Sequence, residues 1–353
     1  MHFDPHTKTF IHQGAMWRAS ECLRGEHAAI DRIATCLTEL GFVCDNSAQR
    51  HWRRDSQHVV VCLVDDIRSC SDDYESDVPY LWDRNTTVIT DNYISCPTMY
   101  QVIVLPPSFF GIYSHAPADT EWAPDRDFSF TANRIDDRRT KLILELAKRT
   151  HLDRGYVNFN CQQDHVSSAD EIHPHKLAQN FAGHWGYIDS ELQQAYQSSY
   201  NTLAPLMPIR NYDIPFDQVY TKSLMNITVE SYGSDASAAF SEKIFRVMSL
   251  PVPWSLYGGR YAVAYLESLG FDCLTDVMDH THYDALKENE DKVHLFIWKS
   301  LDTISKLKAQ DQAHLRQRCA QAADANRALL AQYRRAWPGD FESWLSTLAT
   351  RLA

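Results

Sequence analysis

Between residues 23 and 40 the apolar residues Ile30, Ile33, Ala34, Leu37 and Leu40 recur at helical spacing, and Gly41 then stops the helix before the short strand-like Phe42-Val43-Cys44. Three β-branched runs follow. Residues 58–64 close on Asp65-Asp66, 86–90 on Asp91, and 100–105 on Pro106-Pro107. Short apolar runs closed by turn residues are what strands buried on both faces of a parallel sheet look like. From 114 to 127 the chain is rich in Pro, Asp and Ala and has no period, which predicts a connection between domains with its boundary near residue 122.

The alternation then restarts. Residues 128–134 read as a strand, 137–149 as an amphipathic helix with Leu142, Ile143, Leu146 and Ala147 on its apolar face, and 155–160 as another strand. A polar stretch, 162–222, holds helical pieces such as 190–203 and is otherwise unassigned. Beyond it come strand 223–230, loop 231–239, helix 240–250, strand 252–259, helix 260–270 and the strand-like Phe271 to Leu274. From Ser300 onward the pattern is helical. Two α/β halves with helical returns account for this order.

Composition narrows the class. A chain of 353 residues, 44% hydrophobic and 23% charged, is long enough for two cores and is typical of a folded protein. The net charge of −12 works against a sequence-independent grip on nucleic acid, which would need a local basic patch. The nine cysteines form no CxxC pair, so neither a zinc ribbon nor a redox dithiol is indicated. No apolar run approaches the ~20 residues of a membrane span. The opening residues carry no charged-then-apolar leader, so a cytoplasmic location is expected.

Two cationic clusters carry the candidate chemistry. Ser241-Glu242-Lys243 opens a helix directly after a small-residue loop, and free N–H groups with a lysine there suit a diphosphate, while Glu242 suits ribose hydroxyls. Plain helix capping produces the same string. Arg134, Arg138 and Arg139 lie where the first strand of the second half meets its helix, the place where open α/β sheets bind ligands. Arginines there clamp phosphate bidentately, or pair with Asp136 and Asp137 at a solvated helix start.

The stretch 130–146, followed by 227–245 and then 250–259, resembles the donor-binding half of the α1,3-fucosyltransferase-like glycosyltransferases over roughly residues 127–275. Asn133 and Arg139 match that family's arginine-led helix element. Glu230, Ser231, Glu242 and Lys243 match its strand, loop and Thr-Glu-Lys element, with Ser231 standing for Asn and Ser241 for Thr; Tyr232 lies in the same loop. The resemblance implies a GT-B-like fold, two Rossmann-like domains facing a cleft, with an acceptor domain at 1–122, a donor domain at 123–300 and a helical segment at 301–353 packing back on both. It also implies that Arg139 and Lys243 hold the diphosphate and Glu242 the ribose of an NDP-sugar, with no essential metal or other cofactor.

Inverting sugar transfer needs a base for the attacking hydroxyl, and the carboxylates closing the first-half strands, Asp65, Asp66 and Asp91, are the candidates, with His12 and His115 as outsiders. Each also fits an ordinary turn position. The expected acceptor is a glycan. Trp17-Arg18 and His51-Trp52-Arg53-Arg54 mix aromatic and basic residues, which makes hydroxymethylated DNA an alternative acceptor; otherwise the second string is a polar loop. A third reading is a non-catalytic nucleotide- or partner-binding protein.

Two further strings invite a metal. Asp125-Arg126-Asp127 has the D-x-D form, but it follows Pro124 and precedes its strand, where a metal-binding pair should close one. The run from Asp279 through His280 and His282 to Asp284, like His173 and His175 around Pro174, lacks histidines at helical i, i+4 spacing and reads as loop histidines.

Overall fold

The computed structural model describes residues 2–4, 9–12, 15–17, 19–46, 51–62, 86–91, 93–94, 101–114, 121–132, 137–159, 209–211, 214, 216–230, 237–238, 240–287 and 289–353. Within them the chain is α/β, with mixed and parallel sheets and C-terminal helices. A small antiparallel sheet joins β1 (His2–Asp4), β2 (Thr9–His12) and β3 (Ala15–Trp17). Helix α1 (Ala19–Glu39) then buries Ala29, Ile33 and Leu37 and is stopped at Gly41, whose φ of 84° a side chain would resist.

The first large sheet has five strands in the order β4 (Val43–Asn46), β5 (His51–Arg54), β6 (Gln57–Cys62), β7 (Thr86–Thr90) and β9 (Gln101–Val104), while β8 (Tyr93–Ile94) lies outside it. Strands β6, β7 and β9 are parallel, as their apolar runs predicted. The alternative of a polar loop at 51–54 is not what forms. These residues pair antiparallel with β6 across a turn at Asp55, whose φ is 52°.

The second large sheet is built from β10 (Arg126–Ala132), β11 (Gly155–Phe159), β12 (Ile209–Arg210), β13 (Ser223–Val229) and β15 (Trp254–Tyr257), in the order β12-β11-β10-β13-β15. All contacts but that of β12 are parallel. Helix α2 (Asp137–Arg149) connects β10 to β11; α3 (Phe216–Thr221) leads into β13; α4 (Glu242–Met248) connects β13 to β15. The chain therefore moves from β10 toward one edge and from β13 toward the other, and the two crossovers cover opposite faces of the sheet. Strand β14 (Ser237–Ala238) precedes α4. Trp122 donates from its indole nitrogen to Ser223 O at 2.8 Å and pins the entry to this half at the start of β13.

After β15 come α5 (Ala262–Ser268), α6 (Thr281–Asp284), α7 (Glu290–Ala309) and α8 (Gln312–Leu352). The strand expected at Phe271–Leu274 is instead irregular chain, with Leu274 at φ 54°. Side chains of α8 satisfy it. Asn326 accepts from Asp272 N and donates to the carbonyls of Asp272 and Met248, while Arg318 forks onto Asp272 and Asp276.

Helix α8 then runs on to the first half. Trp344 donates to Val104 O at 2.9 Å, Arg32 pairs with Glu342 at 2.7 Å, and Arg54 donates to Leu352 O. The 3-10 helix Pro107–Tyr113 sits at the joint, with Phe109 against Trp337 and with Phe110 and Tyr113 against Phe245 of α4. The main hydrophobic core runs from Ala29 to Leu352 through this joint, with a small separate cluster of Tyr156, Val219 and Ile214.

Candidate functional site

Open α/β sheets bind ligands beyond the carboxyl ends of their strands, at the point where connections diverge to opposite faces. Here that point lies between β10 and β13. Arg138 and Arg139 sit in the first turn of α2 beside it, and Glu230 follows β13 directly. Arg138 spans the divergence by donating to Glu230 O at 2.7 Å, with its guanidinium 5.9 Å from the Tyr257 ring. Arg139 is buried.

The start of α4 meets the same edge, but it is not an open anion seat. Glu230, 1% exposed, turns its carboxylate onto Ser241, accepting from the backbone N–H at 3.1 Å and from the hydroxyl at 2.5 Å. Ser241 in turn caps the helix by accepting from Lys243 N. Burial pushes the Glu230 carboxyl above its ordinary range, and the nearby Lys243 ammonium and the Ser241 donors pull against that shift. The helix has only seven residues. The Ser241 N–H and hydroxyl at the start of α4 are therefore engaged within the fold, and Lys243 is the cationic side chain of the first turn. Glu242 is half-buried beside it.

The turn after β15 completes the edge. Asp284 repeats the Glu230 arrangement at α5, accepting from Val263 N at 3.0 Å and Ala264 N at 3.1 Å. Lys292, 1% exposed, donates to Gly258 O at 2.8 Å beneath the Tyr257 ring. Neither Lys292 nor Arg260 was singled out from the sequence; the signal available was Gly258-Gly259 closing a strand directly before Arg-Tyr.

The first half approaches this edge through β8 and β14, which pair antiparallel, Tyr93 with Ala238 and Ile94 with Ser237. Asp91, 3% exposed at the carboxyl end of β7, stands two residues before that pairing, and Lys243 five residues after it. The structure thus joins Glu230, Ser241 and Lys243 directly, with Glu242 beside them, and Asp91 is linked to them only through the chain that leads into the β8 and β14 pairing. Asp65, Asp66, Asn133, Arg134, Ser231 and Tyr232 lie outside the described residues, as do His115, His173, His175 and the stretch 190–203.

The other strings have structural roles. Asp125 accepts from the Tyr156 hydroxyl at 2.7 Å, and Asp127 pairs with Arg154 and Lys308, at the amino end of the sheet and away from the divergence. His280 is buried against Trp254, with ring nitrogens on the Tyr283 hydroxyl and Cys273 O. Asp279 takes the Thr281 hydroxyl and N–H and pairs with His282 at 3.0 Å. Among the described residues no cluster of His, Cys, Asp and Glu is arranged to hold a metal. Arg54 stacks on Phe42 at 4.6 Å and binds Leu40 O, Gln57 and Leu352 O, so its guanidinium is spent within the fold. No helix among the described residues is long and apolar enough to cross a membrane.

Compared with known proteins, the chain matches no family model, no characterised protein and no solved structure.

Proposed function

We propose that the protein is a nucleotide-sugar-dependent glycosyltransferase of GT-B-like build that moves a sugar from an NDP-sugar to an acceptor hydroxyl, with inversion and without an essential metal. The observation that carries this reading is the gathering of Arg138, Arg139, Glu230, Glu242 and Lys243 at the divergence of β10 and β13. That edge is tied through β8 and β14 to the carboxyl edge of a second parallel sheet, beside Asp91. On this reading the second sheet is the donor side and the first sheet the acceptor side. In the reaction the acceptor oxygen bonds to the sugar carbon as the bond from that carbon to the diphosphate oxygen breaks. The electron pair leaves with the diphosphate, and the hydroxyl proton passes to a base, for which Asp91 is the candidate among the described residues. Arginine and lysine neutralise the leaving diphosphate.

The acceptor is a glycan on this reading. Commitment of Arg54 inside the fold removes much of the basic patch that favoured hydroxymethylated DNA. The test is a thermal-shift panel of UDP, GDP, dTDP, CMP and their sugars with and without EDTA, on wild type and Lys243→Ala. A ligand at 100 times its Kd adds about 2.7 kcal/mol, a rise of several degrees. Stabilisation by one diphosphate that survives EDTA and vanishes in Lys243→Ala supports the reading. No stabilisation by any nucleotide defeats it, and binding without turnover favours a non-catalytic nucleotide-binding protein.

A further inference from the structure

Both short helices that start at the carboxyl edge of the second sheet have their anion seats filled from within. Glu230 takes the Ser241 N–H at α4, and Asp284 takes the Val263 and Ala264 N–H groups at α5. With these N–H groups taken, an anionic ligand arriving at this edge draws chiefly on cationic side chains. Arg138 has already given one terminal nitrogen to Glu230 O. Lys292 is fully enclosed and bonded to Gly258 O.

Arg260 is different. It follows Gly258-Gly259 at the carboxyl end of β15, and its Nε donates to Ala285 O at 2.8 Å. Its guanidinium lies over the Tyr261 ring at 4.7 Å. The two terminal nitrogens make no hydrogen bond or ion pair with the described residues, so the fork is presented with its plane already set. The turn beneath it is built rather than loose. Tyr261 is held in the left-handed region at φ 61°, uncommon for a residue with a side chain, by donating its N–H to Asp284 O at 2.8 Å. Lys292 holds the Gly258 carbonyl, and the Tyr265 ring stacks on Phe240 at 5.9 Å, which sets α5 against the chain leading into Lys243.

Spacing decides what such a fork would meet. Neighbouring strands lie about 4.8 Å apart, so the end of β15 is one strand beyond β13 and about 10 Å from the end of β10. With a phosphate at the β10/β13 divergence, beside Arg138, Arg139 and Lys243, the next phosphate of a ligand laid toward β15 comes to the Arg260 side of the edge. We propose that Arg260 is a donor-binding residue that grips the distal phosphate of a nucleoside diphosphate, the group to which the sugar is attached. This rests on the nucleotide-sugar reading above and adds to it a residue outside the elements that carry the family resemblance.

The experiment compares di- with monophosphates. Calorimetric titration of UDP, GDP and dTDP, each beside its monophosphate, is made on wild type, Arg260→Gln and Arg260→Lys, with folding checked by circular dichroism and melting temperature. Loss of a charge-assisted bidentate contact lowers affinity about ten- to hundredfold. The expected result is a loss of that size for the diphosphate in Arg260→Gln, less than about threefold for the monophosphate, and partial recovery in Arg260→Lys, which keeps the charge and loses the fork. An unchanged ratio of diphosphate to monophosphate affinity in Arg260→Gln overturns the assignment, including the case where both fall together because the turn has collapsed. Wild type that binds no nucleotide overturns the nucleotide-sugar reading itself, and the assignment with it.

Discussion

The carboxylate of Glu230 accepts both the backbone N–H and the hydroxyl of Ser241, joining the end of one buried strand to the cap of the helix that carries Lys243. This pair converts an apparent phosphate seat into an internal strut. It also fixes the first turn of α4 relative to the sheet, so the Lys243 backbone is positioned before any ligand arrives.

Removing the strut should be costly in proportion to the donors it strands. Glu230→Ala leaves the Ser241 N–H and hydroxyl buried without an acceptor and should lower stability by about 2–4 kcal/mol in urea unfolding. Glu230→Gln keeps an acceptor for the N–H and should cost less than about 1.5 kcal/mol near pH 5. The pH dependence has a definite sign. Because burial raises the folded pKa above the unfolded value of 4.5, the stability tied to the protonated carboxyl is present at low pH and declines as pH rises through the folded pKa. Gln carries no such dependence, so the variant should gain on wild type between pH 4.5 and 8. A difference that stays flat across that range would mean that Glu230 is not desolvated as its burial implies.

His280 gives the opposite slope. Its burial against Trp254 and Tyr283 lowers the folded pKa from 6.5 to about 4, while the hydrogen bond to Cys273 O and the Asp279 carboxylate pull the other way. The unfolded chain then binds a proton that the folded chain refuses, so stability is full above pH 6.5 and falls as pH drops toward 4, by about 3 kcal/mol. His280→Gln should be less stable at pH 8 yet flatter between pH 6.5 and 4. Chemical unfolding at several pH values reads both quantities, and parallel curves for the two proteins would count against the buried neutral imidazole.

Gly111 tests the joint between the 3-10 helix Pro107–Tyr113 and α8. A Cβ added there would lie 2.2 Å from the backbone nitrogen of Arg334 and 2.5 Å from its Cα, and helix backbone cannot yield as a side-chain tip would. Gly111→Ala should therefore destabilise by about 3 kcal/mol and loosen α8 from the 3-10 helix, with Trp337 and Trp344 losing their present packing. A change in tryptophan fluorescence at constant helical content is the expected signature. An unperturbed melting curve would show that α8 does not bear on the joint this closely.

Much of this architecture was legible from local pattern. The helix at Asp137–Arg149 and the parallel trio β6, β7 and β9 follow from apolar period and from Asp or Pro closing each run. What was hidden depends on partners distant in sequence. Arg54 reads as a surface charge in sequence, but its partners are Phe42, Leu40 O and Leu352 O, none of which local period can reveal. Phe271–Leu274 has the composition of a strand, but Asn326 and Arg318, some fifty residues on, take its polar groups. At the site, Lys243 was legible as a cation on a helix start, whereas the ten residues between Glu230 and Ser241 concealed that the adjoining N–H was already used.

Asp91 carries the last prediction. It is buried at the carboxyl end of β7, two residues before the β8 and β14 pairing that joins the two halves at the candidate donor edge. A base acts on the acceptor proton and makes no contact with the nucleotide in the ground state, so its removal should separate binding from turnover. Asp91→Asn keeps size and hydrogen bonding while removing basicity. It should leave the nucleoside diphosphate Kd within about twofold and slow sugar transfer, or the slower acceptor-free hydrolysis of the NDP-sugar, by about 10²–10⁴. Steady-state rates beside calorimetric Kd values separate the cases. Equal loss of both would make Asp91 a structural residue of the joint, and full activity would move the base to Asp65 or Asp66.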